Sequence, residues 1–125
     1  MKTHVMNLSP DSFEMIEVGI KTIEMRLYDE KRKKISKGDY IKFISTMNDN
    51  KQLEVKVIDI YRYNNFEELY KEFNKVKLGY REDEIEHYTD MEQYYSKEDI
   101  DKYGVIGIEL EVVNKNHNLF YNNIE

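Results

Sequence analysis

Gly19-Ile20-Lys21-Thr22-Ile23-Glu24-Met25-Arg26 is the stretch from which the rest of the chain is read. Up to it, Phe13, Ile16 and Ile20 fall at helical spacing. Ser9-Pro10 supplies an N-cap and a proline suited to the first helical position, and Gly19 is the natural C-cap. From Thr22 the pattern alternates. Successive side chains of a strand point to opposite faces, so Ile23, Met25 and Leu27 take one face of a strand over 22–28. Thr22, Glu24 and Arg26 take the other, with Lys21 at the turn beside them. A hydroxyl, a carboxylate and two cations thus gather at one end of one strand. Read plainly, this is a salt-bridge network on an exposed face. Exposed pairs contribute only ~0–1 kcal/mol, so alanine at Lys21 or Arg26 should change stability little and, if the row is a site, weaken ligand binding sharply. Read as a site, Arg26 is a fork for phosphate or carboxylate and Lys21 a point charge. Glu24 then accepts from the exocyclic amine of a base or orients the two cations.

Outward from this stretch, residues 3–8 read as a first strand and 40–45 as another, with Ile41 and Phe43 inward. Asn48-Asp49-Asn50 marks a turn, so 40–45 and 53–63 should form a hairpin. In the second of these strands the apolar phase changes: Leu53, Val55 and Val57 share one parity, Ile58 and Ile60 the other. A β-bulge near Val57-Ile58 in a curved, closing sheet explains the change. Phe66, Leu69, Tyr70 and Phe73 follow helical spacing, as do Ile85, Tyr88, Met91 and Tyr95. Ser96 caps a short helix over 97–102. Val105–Val113 is the last strand, giving one domain over 1–113 and a C-terminal extension, 114–125, readable as an added strand or a loose tail. Strands at both ends with helices between them predict an α+β chain whose sheet curls into a small barrel.

The chain has 125 residues, no cysteine and a net charge of −6. That excludes a disulfide framework and a thiolate metal site, fits a cytoplasmic protein, and argues against a general nucleic-acid binder. The charge is unevenly spread. Residues 19–43 carry eight Lys/Arg against four Asp/Glu, and residues 65–111 carry six against fourteen. A polar partner suits the basic end. No long apolar run suggests a signal peptide or membrane span.

The spacing of Gly19, Lys21, Glu24 and Arg26 resembles the GxKxxExR motif of the ASCH family (activating signal cointegrator homology), a branch of the PUA-like folds. Lys37-Gly38-Asp39-Tyr40-Ile41-Lys42-Phe43 resembles its GD-x-I-x-F strand, and Asp101–Ile108 its closing strand. The resemblance implies a PUA-like pseudo-barrel of about five to six strands with flanking helices, and a cleft lined by the motif residues. It also brings in bacterial relatives that are amidohydrolases of N4-acetylcytidine. There a Lys is proposed to work with a Thr three positions later and a more distant Glu. Lys21 matches the Lys, but Glu24 stands where the Thr would be, so the nucleophile does not carry over. Lys21 and Glu24 are the catalytic candidates if the protein is an enzyme, and the distant acid is one of Glu67, Glu68, Glu82 or Glu84.

Beyond the motif, Lys31, Arg32, Lys33, Lys34 and Lys37 form a basic run readable as a phosphate-contacting loop or as a solvated connector. Tyr61, Tyr63, Tyr88, Tyr94, Tyr95 and Tyr103 offer stacking faces, Tyr61 and Tyr63 foremost because they end a strand. His4, His87 and His117 show no metal spacing, and no cofactor motif is present. The leading reading is a domain that binds RNA, or a nucleoside or nucleotide, through Lys21, Thr22, Glu24, Arg26, Tyr61 and Tyr63. A hydrolase acting on a modified nucleoside or RNA comes second. A protein-interaction module using the acidic helical face, 65–101, comes third.

Overall fold

The computed structural model describes residues 1–116. β1 (Thr3–Leu8), α1 (Pro10–Glu17), β2 (Ile23–Leu27), β3 (Tyr40–Ser45) and β4 (Gln52–Tyr63) come first. They are followed by α2 (Phe66–Glu72), α3 (Lys75–Leu78), α4 (Lys97–Tyr103) and β5 (Val105–Asn116). One sheet holds all five strands in the order β1-β3-β4-β5-β2. β1 runs parallel to β3, and the other neighbours are antiparallel. The sheet curls into a half-barrel with helices against it, an α+β architecture of the PUA-like kind. The two outer strands are consecutive in sequence, so α1 carries the chain from one edge of the sheet to the other.

The phase change in β4 has the expected cause. Register shifts fall between Glu54 and Val55 and between Val57 and Asp59. Leu53, Val55 and Val57 are buried, and beyond the second shift Ile60 pairs with Ile108 and packs on the same core. The second shift leaves Ile58 unpaired and outside both cores, and returns Ile60 to the inner face.

Two apolar cores result. The inner one joins Ile41, Phe43, Val55, Val57, Ile106 and Ile108 to Phe13 and Ile16 of α1. Burial of side chains such as these stabilises by about 1.5–3 kcal/mol each. The outer core packs Ile23, Met25 and Leu27 of β2 against Phe66, Leu69, Leu78, Met91 and Ile100. β2 is therefore covered on both faces. Glu24 lies opposite Ile108, and Arg26 opposite Ile106. Residues directly opposite share a face, so Glu24 and Arg26 continue the inner row of the sheet into its last strand.

Several local expectations change. Residues 85–95 do not form one helix. A 3-10 turn spans Tyr88–Gln93, Met91 is buried, and Ile85 is 78% exposed. The preceding loop is tied instead by Lys75, whose Nζ donates to the carbonyl oxygens of Glu82 (2.9 Å) and Glu84 (2.6 Å). Ile20 falls beyond the end of α1 and is half exposed. β5 extends past Val113, with Asn114, Lys115 and Asn116 paired to Glu54, Leu53 and Gln52. His117 and the rest of the C-terminal extension lie outside the described residues. His4 contacts a carboxylate: its Nε2 is 2.9 Å from Asp39 Oδ2. Asp39 also accepts from the backbone N–H of Ser36 and Lys2, which fastens the start of β3 to β1. No helix among the described residues is long and apolar enough to cross a membrane.

Candidate functional site

The sheet's inner face is apolar until it reaches β2, where Glu24 and Arg26 stand at the edge. Here the polar row departs from the expected exposed network: Lys21 and Glu24 are buried, their side chains 8% and 5% exposed, and Arg26 is 13% exposed. The reason is coverage from both sides, by α1 and the end of β1 on one and by the 79–95 segment on the other. Glu24 Oε1 lies 3.0 Å from Lys21 Nζ, and Glu24 Oε2 accepts from Arg26 Nε at 2.7 Å. Lys21 also donates to Ser12 Oγ (3.2 Å), and Arg26 Nη2 donates to the carbonyl oxygen of Asn7 (2.7 Å).

Burial alone would raise the Glu24 carboxyl, but Lys21 and Arg26 outweigh it and hold the group below the usual carboxylate range. Burial likewise works against the Arg26 charge, and Glu24 more than restores it. Glu24 is an ionised acceptor with both oxygens engaged.

Lys21 is placed by the turn after α1, where the N–H groups of Ile20 and Lys21 both donate to the Met15 carbonyl. Its stem runs across Gly79, which ends α3 at φ +108°. A Cβ there would stand 3.0 Å from Lys21 Cδ. Only glycine suits both that backbone conformation and that approach.

The triad opens into a cleft of about 480 Å³. Tyr70, Tyr80, Tyr94 and Tyr95 line it together with the acids Asp11, Glu84 and Asp90. Tyr80 is fixed in place. Its hydroxyl donates to Asp90 Oδ2 at 2.7 Å and lies 2.9 Å from the Tyr70 hydroxyl. Burial raises both phenols, Tyr70 to about 12. Burial also raises Tyr95, against the opposing pull of Arg26. Tyr94 is 66% exposed at the rim.

Other expected residues are placed elsewhere. Thr22 does not line the cleft: its backbone joins Lys77 of α3 and Leu110 of β5. Tyr61 and Tyr63 also lie away from it, edge-on to Phe73. The Tyr61 hydroxyl donates to Glu109 at 2.8 Å, and that bond raises it to about 12. Tyr63 and Tyr103 line a separate polar hollow with Arg62 and Lys102. The basic run does not line the cleft. Arg32 is tied to Asp29 (2.8 Å) and Lys33 to Glu30 (3.1 Å), while Lys31, Lys34 and Lys37 are exposed. Of the acids considered for a distant role, only Glu84 reaches the cleft. Tyr70 and Tyr80 were missed because α2 and the turn after α3 bring them in from a distance in sequence. Among the described residues no cluster of His, Cys, Asp and Glu could hold a metal ion.

The ASCH domain model matches residues 6–114. Among solved structures, the hypothetical protein PH0355 is 33% identical (TM-score 0.73), covering 90% of this chain and 100% of its own. Protein PF0455 from Pyrococcus furiosus is 34% identical (TM-score 0.70), covering 90% and 98%. An ASCH protein from Zymomonas mobilis shares the fold at 15% identity (TM-score 0.63), covering 94% and 74%. No curated protein matches the chain.

Proposed function

The chain belongs to the ASCH domain family, and on that premise we propose that it binds a nucleoside, or a nucleoside unit of RNA, in the cleft beside Lys21, Glu24 and Arg26. The observation that carries this reading is the pairing of a buried triad, two cations bridged by one carboxylate, with four tyrosines across one cleft. Its volume lies within the roughly 300–1,000 Å³ of small-molecule sites. Arg26 Nη1 has no protein acceptor among the described contacts and suits a carbonyl oxygen of a base. Asp90 or Glu84 suits an exocyclic amine on the opposite edge. Tyr94 offers an open face for stacking, and Tyr95 the face turned away from Phe66. The lining holds the cations Lys21, Arg26 and Arg81 against the anions Asp11, Glu24, Glu84 and Asp90. That balance favours a neutral nucleoside over a polyphosphate.

The test is an NMR titration of the full chain with the common ribonucleosides and their 5′-monophosphates. Tyr94→Ala is the informative variant, because Tyr94 is exposed and its loss spares the fold. Stacking of a base on an aromatic ring contributes about 1–3 kcal/mol, so affinity should drop about five- to 150-fold. Shifts confined to residues away from the cleft, or an unaltered affinity in Tyr94→Ala, would sink the reading.

A hydrolase reading draws on one observation, that Glu84 shares the cleft with Lys21. Glu24 does not help it, since a carboxylate with both oxygens engaged and its acidity strengthened is a poor proton acceptor. Incubation with N4-acetylcytidine followed by chromatography should give no free acetate. Turnover that disappears in Glu84→Gln would promote this second reading.

A further inference from the structure

We propose that the groove between α1 and α3, behind the cleft wall, docks a basic amphipathic segment of a partner protein. The floor of this groove is apolar: Met15, Val18, Ile20 and Val76. Val18 and Ile20 are 60% and 49% exposed. Single exposed apolar residues are ordinary, but a contiguous set in a concave surface is not. Ile20 has the spacing of a core residue and yet sits outside both cores. The groove measures about 480 Å³, large enough for more than one apolar side chain.

The rim states the charge of the occupant. Asp11, Glu14 and Glu82 border the groove against a single cation, Arg81. Arg81 is itself engaged, 3.8 Å from Asp11 and 3.7 Å from Glu84. An apolar floor with an acidic border suits a helix whose Leu-like anchors recur every three or four residues and whose flanks carry Lys or Arg. This is a narrower surface than the whole acidic face 65–101, and five of its nine lining residues, Asp11 to Ile20, come from α1 and the turn after it. Tyr80 and Arg81 line the groove and the cleft alike, so an occupant of the groove touches the wall that holds the nucleoside.

The experiment titrates the isotope-labelled full chain with a synthetic Leu/Lys peptide, its leucines at i, i+3, i+4 and i+7, and with its Leu/Glu counterpart. The Leu/Lys peptide should shift the amides of Met15, Val18, Ile20 and Val76. Val18→Ser with Ile20→Ser should weaken it at least about tenfold, equivalent to 1.4 kcal/mol. Both positions are exposed, so the spectrum elsewhere should be unaltered. Glu14→Lys with Glu82→Lys should weaken it comparably and spare nucleoside binding. Shifts that map elsewhere, no shifts, or equal binding of the Leu/Glu peptide would overturn the proposal. Self-association relieved by the serine variants would overturn it as well, by assigning the groove to a second copy.

Discussion

Arg26 Nη2 donates to the carbonyl oxygen of Asn7 at 2.7 Å, and this one bond spans the two outer strands of the sheet, β2 and β1. The same side chain neutralises Glu24. Arg26→Ala therefore removes a strap across the open seam and leaves a buried carboxylate with half its partners. Breaking a buried pair from one side costs about 3–5 kcal/mol, far more than the exposed network suggested by the sequence. Urea unfolding should show the loss. Arg26→Lys should recover only part of it, because an ammonium cannot fork between Glu24 and Asn7. An unchanged midpoint in Arg26→Ala would mean that the triad is solvated.

Gly79→Ala should act on Lys21 at a distance in sequence. The new methyl group meets Lys21 Cδ at 3.0 Å on a backbone with φ +108°. A left-handed residue that gains a Cβ loses about 1–2 kcal/mol. The displaced ammonium should also weaken nucleoside binding. Thermal unfolding and the nucleoside titration read the two effects separately; if the Lys21 stem has room to move, binding should be unchanged while the backbone strain at φ +108° still lowers stability.

Acid should unfold the protein through two carboxylates. Glu24 is held below 4.5, and Asp39 falls from 3.8 to about 2 because His4 and the N–H groups of Ser36 and Lys2 bond it. Groups with a depressed folded pKa contribute stability that is complete above the unfolded value and lost as pH falls through the folded one. Stability should therefore decline from about pH 5 downward, and Asp39→Asn should flatten the part of the curve between 3.8 and about 2. Tyr61 and Tyr70, both raised from 10.0 to about 12, work in the opposite direction. Their contribution is present below 10.0 and lost as pH rises through about 12. Denaturant midpoints measured across the pH range check both limbs.

Short single-stranded RNA, if it binds, should show a weak dependence on salt. Arg32 and Lys33 are already paired within the 29–34 segment, which leaves Lys31, Lys34 and Lys37 for phosphates. At about −0.7 per contact in log K against log salt, three contacts give a slope of about −2. Replacing Lys31, Lys34 and Lys37 with Ser should flatten the slope and leave base preference alone, because phosphate contacts position and base contacts specify. An unchanged slope would make the loop a solvated connector.

The alternation of residues 22–27 shows which side chains share a face, and the structure keeps that division. It does not show what covers each face. β2 carries Ile23, Met25 and Leu27 to one core and Glu24 and Arg26 toward another, so a row that reads as polar and exposed is polar and buried. The phase change at Val57-Ile58 was legible because a bulge leaves a mark in the sequence itself. Tyr61 and Tyr63 looked favourable by position, but Glu109 and Phe73 occupy them. Tyr94 and Tyr95, also legible as candidates, do line the cleft, and Tyr70 and Tyr80 join them through a tertiary contact with no local signature. Gly79 left one faint sign, a glycine directly after an apolar helical residue.

The strand order β1-β3-β4-β5-β2 also sets a schedule. As the chain emerges from the ribosome, β1 appears first but has no neighbour until β3 follows. β2 appears second, and its neighbour is β5, the last strand among the described residues. Such distant pairings form slowly, because the intervening chain must be ordered first. Glu24 and Arg26 therefore have no seat until residues 105–109 arrive. A nascent chain stopped before that point holds three strands and an unpaired, charged fourth, so the cleft is completed only when nearly all of the domain has been synthesised.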